Sequence, residues 1–135
     1  FTQIFVGKYT FMETINDLTY IVFGAAYKVH RVLGPGLLEN AYKECLYYLL
    51  ARDGIFVEKE KSLPLIFEEV KLEAGYRIDL FVENKVVVEI KAVESFTDVH
   101  MAQVLTYMKL SGSAIGLLLN FNVADMKKGI KRMII

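Results

Sequence analysis

Residues 114–121 read AIGLLLNF, an almost unbroken apolar run that follows a helix stop at Ser111-Gly112. A run of that length without alternation fits a strand buried on both faces, which requires helices packed above and below a sheet. The segments before it supply those layers. Ile15, Leu18, Val22, Ala25, Val29 and Val32 recur at three- and four-residue spacing and predict a helix over 14–33, stopped by Gly34-Pro35-Gly36. A second helix is expected over 37–52, with Leu38, Ala41, Cys45, Leu46 and Leu49 inward and Asp53-Gly54 as its stop. Strands are expected over 56–67 (interrupted by Pro64), 71–82 and 85–93, then a helix over 97–110. After the apolar run come a short helix over 123–129 and a terminal strand over 130–135. Three meandering strands and a helical crossover to a fourth make a mixed sheet of four to five strands flanked by helices. The order is α-α-β-β-β-α-β, an α/β layered domain.

At 135 residues the chain is one domain with room for a real core, and a hydrophobic content of 54% suits a sheet covered by helices. Sixteen basic and sixteen acidic residues cancel. That balance argues against a sequence-independent nucleic-acid coat and leaves room for an enzyme with a local basic rim. Lys127, Lys128, Lys131 and Arg132 form one basic cluster, read here as a solvated helix end. The single cysteine, Cys45, rules out an internal disulfide and fits a reducing compartment, so a cytoplasmic location is expected. No membrane span is expected, because the most apolar helix carries Asn16, Asp17, Lys28, His30 and Arg31. The first residues have no helical period. Met12 is expected to be the natural start, leaving residues 1–13 as an extension before a single domain over 14–135.

The chemistry concentrates in one hairpin, where Asp79 lies on one strand and Glu89, Ile90 and Lys91 on the next. Carboxylates are rare inside apolar strands because an unpaired buried charge is costly. Side chains alternate, so Arg77, Asp79 and Phe81 share one face and Ile78, Leu80 and Val82 the other. A three-residue loop over 83–85 pairs Asp79 with Glu89 on one face; a two-residue loop sends the acids to opposite sides. Facing carboxylates repel, and a cation, a shared proton or a base such as Lys91 or Arg77 must compensate. Hard oxygen donors with open positions suit Mg²⁺ or Mn²⁺. The same residues also fit a half-exposed hairpin whose charges face water.

Three further groups could complete a site. Glu39 and Tyr42 share a face of the second helix, although Glu39 also suits a helix N-terminus and an i,i+4 pair with Lys43. Gln103 and Tyr107 lie four apart on the third helix, with His100 a turn back.

Gly36, Glu39 and Tyr42 match the pattern that names the GxxExxY protein family. The stretches LGPGLLENAY, GYRIDLFVENKVVVEIKAVE, AQVLTYMKL and GLLLNFNV resemble that family in the same order. The family is placed in the PD-(D/E)xK nuclease superfamily, so the resemblance implies a restriction-endonuclease-like core. It implies that Asp79 is the first metal-ligand acid, that Glu89 and Lys91 form the (D/E)xK element, and that Glu39 is the supporting helix acid. Asp79, Glu89 and the backbone carbonyl of Ile90 would hold Mg²⁺ (or Mn²⁺), with Lys91 beside them. Gln103 and Tyr107 resemble the QxxxY element of RecB-like members; Tyr42 and His100 are weaker supporting candidates. Ile78 stands where the pattern has proline. The implied activity is metal-dependent hydrolysis of phosphodiester bonds in DNA, less readily RNA, with a homodimer as one way to grip a duplex. The rival is a non-catalytic interaction or scaffold domain that keeps the fold.

Overall fold

The computed structural model describes residues 15–135; the expected extension over 1–13 lies outside the described residues. The elements are α1 (Ile15–Leu33), α2 (Glu39–Arg52), β1 (Val57–Phe67), β2 (Val70–Val82), β3 (Val86–Lys91), α3 (Asp98–Ser111) and β4 (Ile115–Asn120). A 3₁₀ turn (Met126–Gly129) and β5 (Ile130–Ile134) follow. The sheet runs β1-β2-β3-β4-β5 in chain order. Only β3 and β4 are parallel, because α3 carries the chain back between them; the other pairs are antiparallel.

Helices α1 and α2 cover one face of the sheet, packing Leu18, Val22, Val29, Leu46 and Leu50 on Leu80, Val88, Ile90, Leu117 and Leu119. Helix α3 covers the other, packing Val104, Tyr107 and Met108 on Phe81, Val87 and Leu118. Strand β4 is buried at every position, as its sequence requires. Its Gly116 admits α3 closely: a Cβ there would lie 2.6 Å from Val104 Cγ1 and 2.7 Å from Met108 Sδ.

Several expected details differ. In α1 the buried residue is Ala26 rather than Ala25, and Val32 is 72% exposed near the helix end. In α2 the inward face is Tyr42, Lys43, Leu46, Leu49 and Leu50, while Leu38 is 82% exposed. Leu38 is the N-cap with extended backbone, so it does not follow the helical period that seemed to place it inward. Pro64 does not break β1. It sits at a register shift between Leu63 and Leu65 on an edge strand, where its missing N–H is tolerated. The alternation along β2 also fails at one place. Ile78 packs with Phe81 on the α3 side, whereas Leu80 and Val82 pack toward α1 and α2. The residue between Ile78 and Leu80 is Asp79.

Candidate active site

The turn between β2 and β3 decides where the acids go. Val82 pairs with Val86, leaving residues 83–85 between them, and Lys85 N–H donates to Val82 O at 2.9 Å. Glu83 and Asn84 both adopt left-handed backbone, with φ of 52° and 55°. Asn tolerates this conformation well and glutamate does not. Glu83 is held there from β1's side: its N–H donates to Phe56 O at 2.7 Å, and its carboxylate accepts from Phe56 N–H. The odd loop brings Asp79 opposite Glu89.

At that position the sheet opens. The regular β2–β3 pairing ends at Leu80 and Val88. Beyond it, Asp79 N–H donates to Glu89 Oε1 at 2.9 Å, and Ile90 N–H donates to Asp79 Oδ2 at 2.8 Å. The carboxylates stand in for the carbonyls that a continued ladder would supply. On the other side, β1 pairs Lys59 with Leu80 and Lys61 with Ile78 but skips the step between them, where Glu60 has φ of 54°. Irregularity on both flanks explains the switch of faces around Asp79. A left-handed non-glycine residue inside a strand is strained, and such strain clusters at functional sites.

Glu89 is 3% exposed. Burial, followed by the neighbouring Asp79 charge, pushes its carboxyl up to about 9, against the pull of Lys91. At neutral pH Glu89 therefore keeps a proton and hydrogen-bonds the Asp79 side chain. Of the compensations open to facing acids, the raised Glu89 carboxyl points to the shared proton.

Lys91 extends from the end of β3 toward α3. Its Nζ donates to Gln103 Oε1 at 3.1 Å, and Gln103 Nε2 donates to Tyr107 Oη at 3.2 Å. Burial, then the Glu89 charge, raises the Tyr107 phenol. A cleft of about 500 Å³ opens beside this relay, lined by Tyr76, Lys91, Val99, His100, Gln103 and Tyr107 among others. A second cavity, about 300 Å³ between α1 and α2, is lined by Val29, Val32, Leu33 and Leu49 and lies apart from the acids.

The remaining candidates fall in different places. Glu39 is exposed at the start of α2, and its Oε2 accepts from Ala92 N–H at 3.4 Å, next to Lys91 in sequence. Its expected partner Lys43 instead reaches Glu60 at 3.1 Å, so α2 is tied to β1 at the strained residue. Tyr42 is buried and does not share Glu39's exposure. Its hydroxyl donates to Gly34 O at 2.7 Å and accepts from Leu37 N–H at 3.0 Å, and its ring stacks on Phe121 at 4.6 Å. It braces the turn that leads into Glu39 and has no surface for a ligand. His100 is a helix cap: Nδ1 accepts from Thr97 N–H at 3.1 Å while its own N–H donates to Thr97 Oγ1. The Ile90 side chain is buried, so only its backbone is available to the site.

Two positions escaped the sequence. Asn120, opposite Lys91 on β4, is 3% exposed; its Nδ2 donates to Val93 O at 2.8 Å and its Oδ1 accepts from Val93 N–H at 3.1 Å. It fixes the chain just after Lys91, and the visible signal was a lone amide inside an apolar run. Glu60 had no such signal.

The donor set suits a small hard cation. Among the described residues, no three His, Cys, Asp or Glu side chains converge as a ready cage. Mg²⁺ commonly takes one or two carboxylates and keeps several waters, which two acids and a backbone carbonyl can provide. A carboxyl pair that must otherwise hold a proton is one that a divalent cation would neutralise.

Residues 16–133 match the family model of the PD-(D/E)XK nuclease superfamily. The chain belongs to that superfamily. No curated protein and no solved structure matches the chain. The superfamily's restriction-endonuclease-like fold agrees with the three helices and five-stranded mixed sheet described above. Among the described residues, no helix is long and apolar enough to cross a membrane.

Proposed function

We propose that this PD-(D/E)XK domain is a metal-dependent nuclease that hydrolyses phosphodiester bonds in DNA, with RNA the less favoured substrate. The observation that carries the proposal is the opened β2–β3 ladder, where half-buried Asp79 meets buried Glu89 with Lys91 two residues on. Mg²⁺ or Mn²⁺ would be held by Asp79, Glu89 and the backbone carbonyl of Ile90, with Glu39 supporting from α2. When bound, such an ion lowers the pKa of a water and neutralises charge developing on the phosphate.

The protein's own groups do the rest. Gln103, braced by Tyr107, aims the Lys91 ammonium, which is suited to hydrogen-bond the attacking water or a phosphate oxygen gaining charge. Asn120 and Glu39 restrain the backbone that follows Lys91. A GxxExxY-type role for Glu39 and a cytoplasmic setting belong to the same proposal. One observation favours a non-catalytic alternative: the two carboxylates are satisfied by the sheet's own N–H groups, a purely structural use.

Calorimetric titration of Mg²⁺ and Mn²⁺ into wild type and Asp79→Ala, paired with cleavage assays on single-stranded, duplex and branched DNA, separates the two. Binding and cleavage lost together in the variant support the nuclease. Absence of binding at millimolar metal supports the structural alternative.

A further inference from the structure

The cleft beside Lys91 has a composition that the hydrolytic chemistry does not require. Its volume, about 500 Å³, falls within the roughly 300–1,000 Å³ of pockets that take whole small ligands. Among the described residues lining it, Lys91 alone carries a full charge. The walls are otherwise rings, small apolar groups and neutral hydrogen-bonding groups: Tyr76, Val99, His100, Gln103 and Thr106. Tyr76 is half-buried and packs edge-on against Tyr107, with ring centroids 6.1 Å apart. Val99, 75% exposed, forms an apolar lip.

Such walls are a poor place for a second phosphate and a good one for a flat, uncharged heteroaromatic ring. The whole chain is electrically neutral, so backbone phosphates gain little from its overall field. Affinity must come from somewhere else. Base–aromatic stacking is tolerant of sequence, and neutral amide and hydroxyl groups can meet a base edge. Bases inside a duplex cannot reach a side cleft without leaving the stack. The cleft's contact with Lys91 puts a base held there next to the phosphate that would be cut.

We infer that this cleft is a subsite for one unpaired nucleobase, stacked against Tyr76 and adjoining the phosphate at Lys91, which makes single-stranded or locally unpaired nucleic acid the preferred substrate. The inference rests on the nuclease proposal for the location of the phosphate, but its test does not depend on turnover.

The test is fluorescence anisotropy on the Asp79→Asn protein with Mg²⁺ present. The probes are a labelled 12-nucleotide single strand, the matching duplex, and single strands carrying one abasic position moved along the sequence. The expected result is binding of the single strand about tenfold or more tighter than the duplex, with one abasic position losing most of that difference. Tyr76→Leu should lose it too and show no further loss with the abasic probe, while Tyr76→Phe retains it. Equal or tighter duplex binding, or an abasic series with no sensitive position, overturns the inference whatever the Tyr76 variants do. The abasic series leaves the protein intact and so stays informative if Tyr76→Leu unfolds. Wild-type cleavage with a flat abasic series would remove the subsite and leave the nuclease; the binding pattern without wild-type cleavage would do the reverse.

Discussion

Asp79 and Glu89 are tied together through each other's strands: Asp79 N–H donates to the Glu89 carboxylate, and the N–H that follows Glu89, on Ile90, donates to the Asp79 carboxylate. Each acid thus seals a gap in the ladder made by the other. The two hydrogen bonds give the pair a fixed geometry, each contributing about 1 kcal/mol. It also fixes what happens when protons are removed.

The folded Glu89 carboxyl titrates near 9, above its ordinary value of 4.5, so between those limits the folded chain binds more protons than the unfolded one. The Glu89 contribution to the stability of the metal-free protein should therefore be fully present at the acidic end of this window and be lost as pH rises through it. Thermal midpoints in metal-free buffer measure it. Glu89→Gln, close in shape to the protonated acid, should flatten the profile.

Gly116→Ala should destabilise the fold by about 1–3 kcal/mol through overpacking, because the new Cβ meets Val104 and Met108 of α3. Urea unfolding measures the shift as a lower midpoint with an unchanged slope. Since α3 carries Gln103 and Tyr107, Mg²⁺-dependent cleavage should fall further than stability explains.

Tyr42→Phe keeps the stack on Phe121 and removes the hydroxyl that bridges Gly34 and Leu37. About 1–2 kcal/mol of stability should go with it. Loosening the turn before Glu39 should lower cleavage severalfold with little change in the KM for nucleic acid, which a steady-state comparison with wild type would read.

Much of this layout was legible in the chain. The apolar run at 114–121 demanded a two-sided sheet, and the length of the 83–85 loop determined whether Asp79 and Glu89 could meet. What stayed hidden has physical reasons. Glu60 adopts left-handed backbone in mid-strand without a glycine or asparagine to announce it, so the opening of β1 beside Asp79 and the switch of Ile78 to the α3 side could not be foreseen. Lys43 fits an i,i+4 pair with Glu39 as well as it fits its long-range partner Glu60, and only the fold chooses. Tyr42 looked like a neighbour of Glu39 because period alone does not say which side of a helix faces inward.

Lys91→Met preserves the stem of the side chain and removes the charge, leaving Gln103 and Tyr107 without the group they aim. Cleavage should drop by about 10²–10⁴, the usual span for a positioned proton-transfer or charge-stabilising group. Metal binding measured by calorimetry should persist, because Lys91 is not a ligand in this scheme.

The most direct measurement is single-turnover cleavage of an end-labelled single-stranded oligonucleotide by wild type and Asp79→Asn, purified identically, with Mg²⁺ or Mn²⁺ and with chelator. The account predicts metal-dependent cleavage by wild type that is lost with chelator and lost in Asp79→Asn while the variant stays folded. Equal cleavage by the two proteins, or none by wild type with either metal on single-stranded, duplex or branched DNA or on RNA, would contradict it.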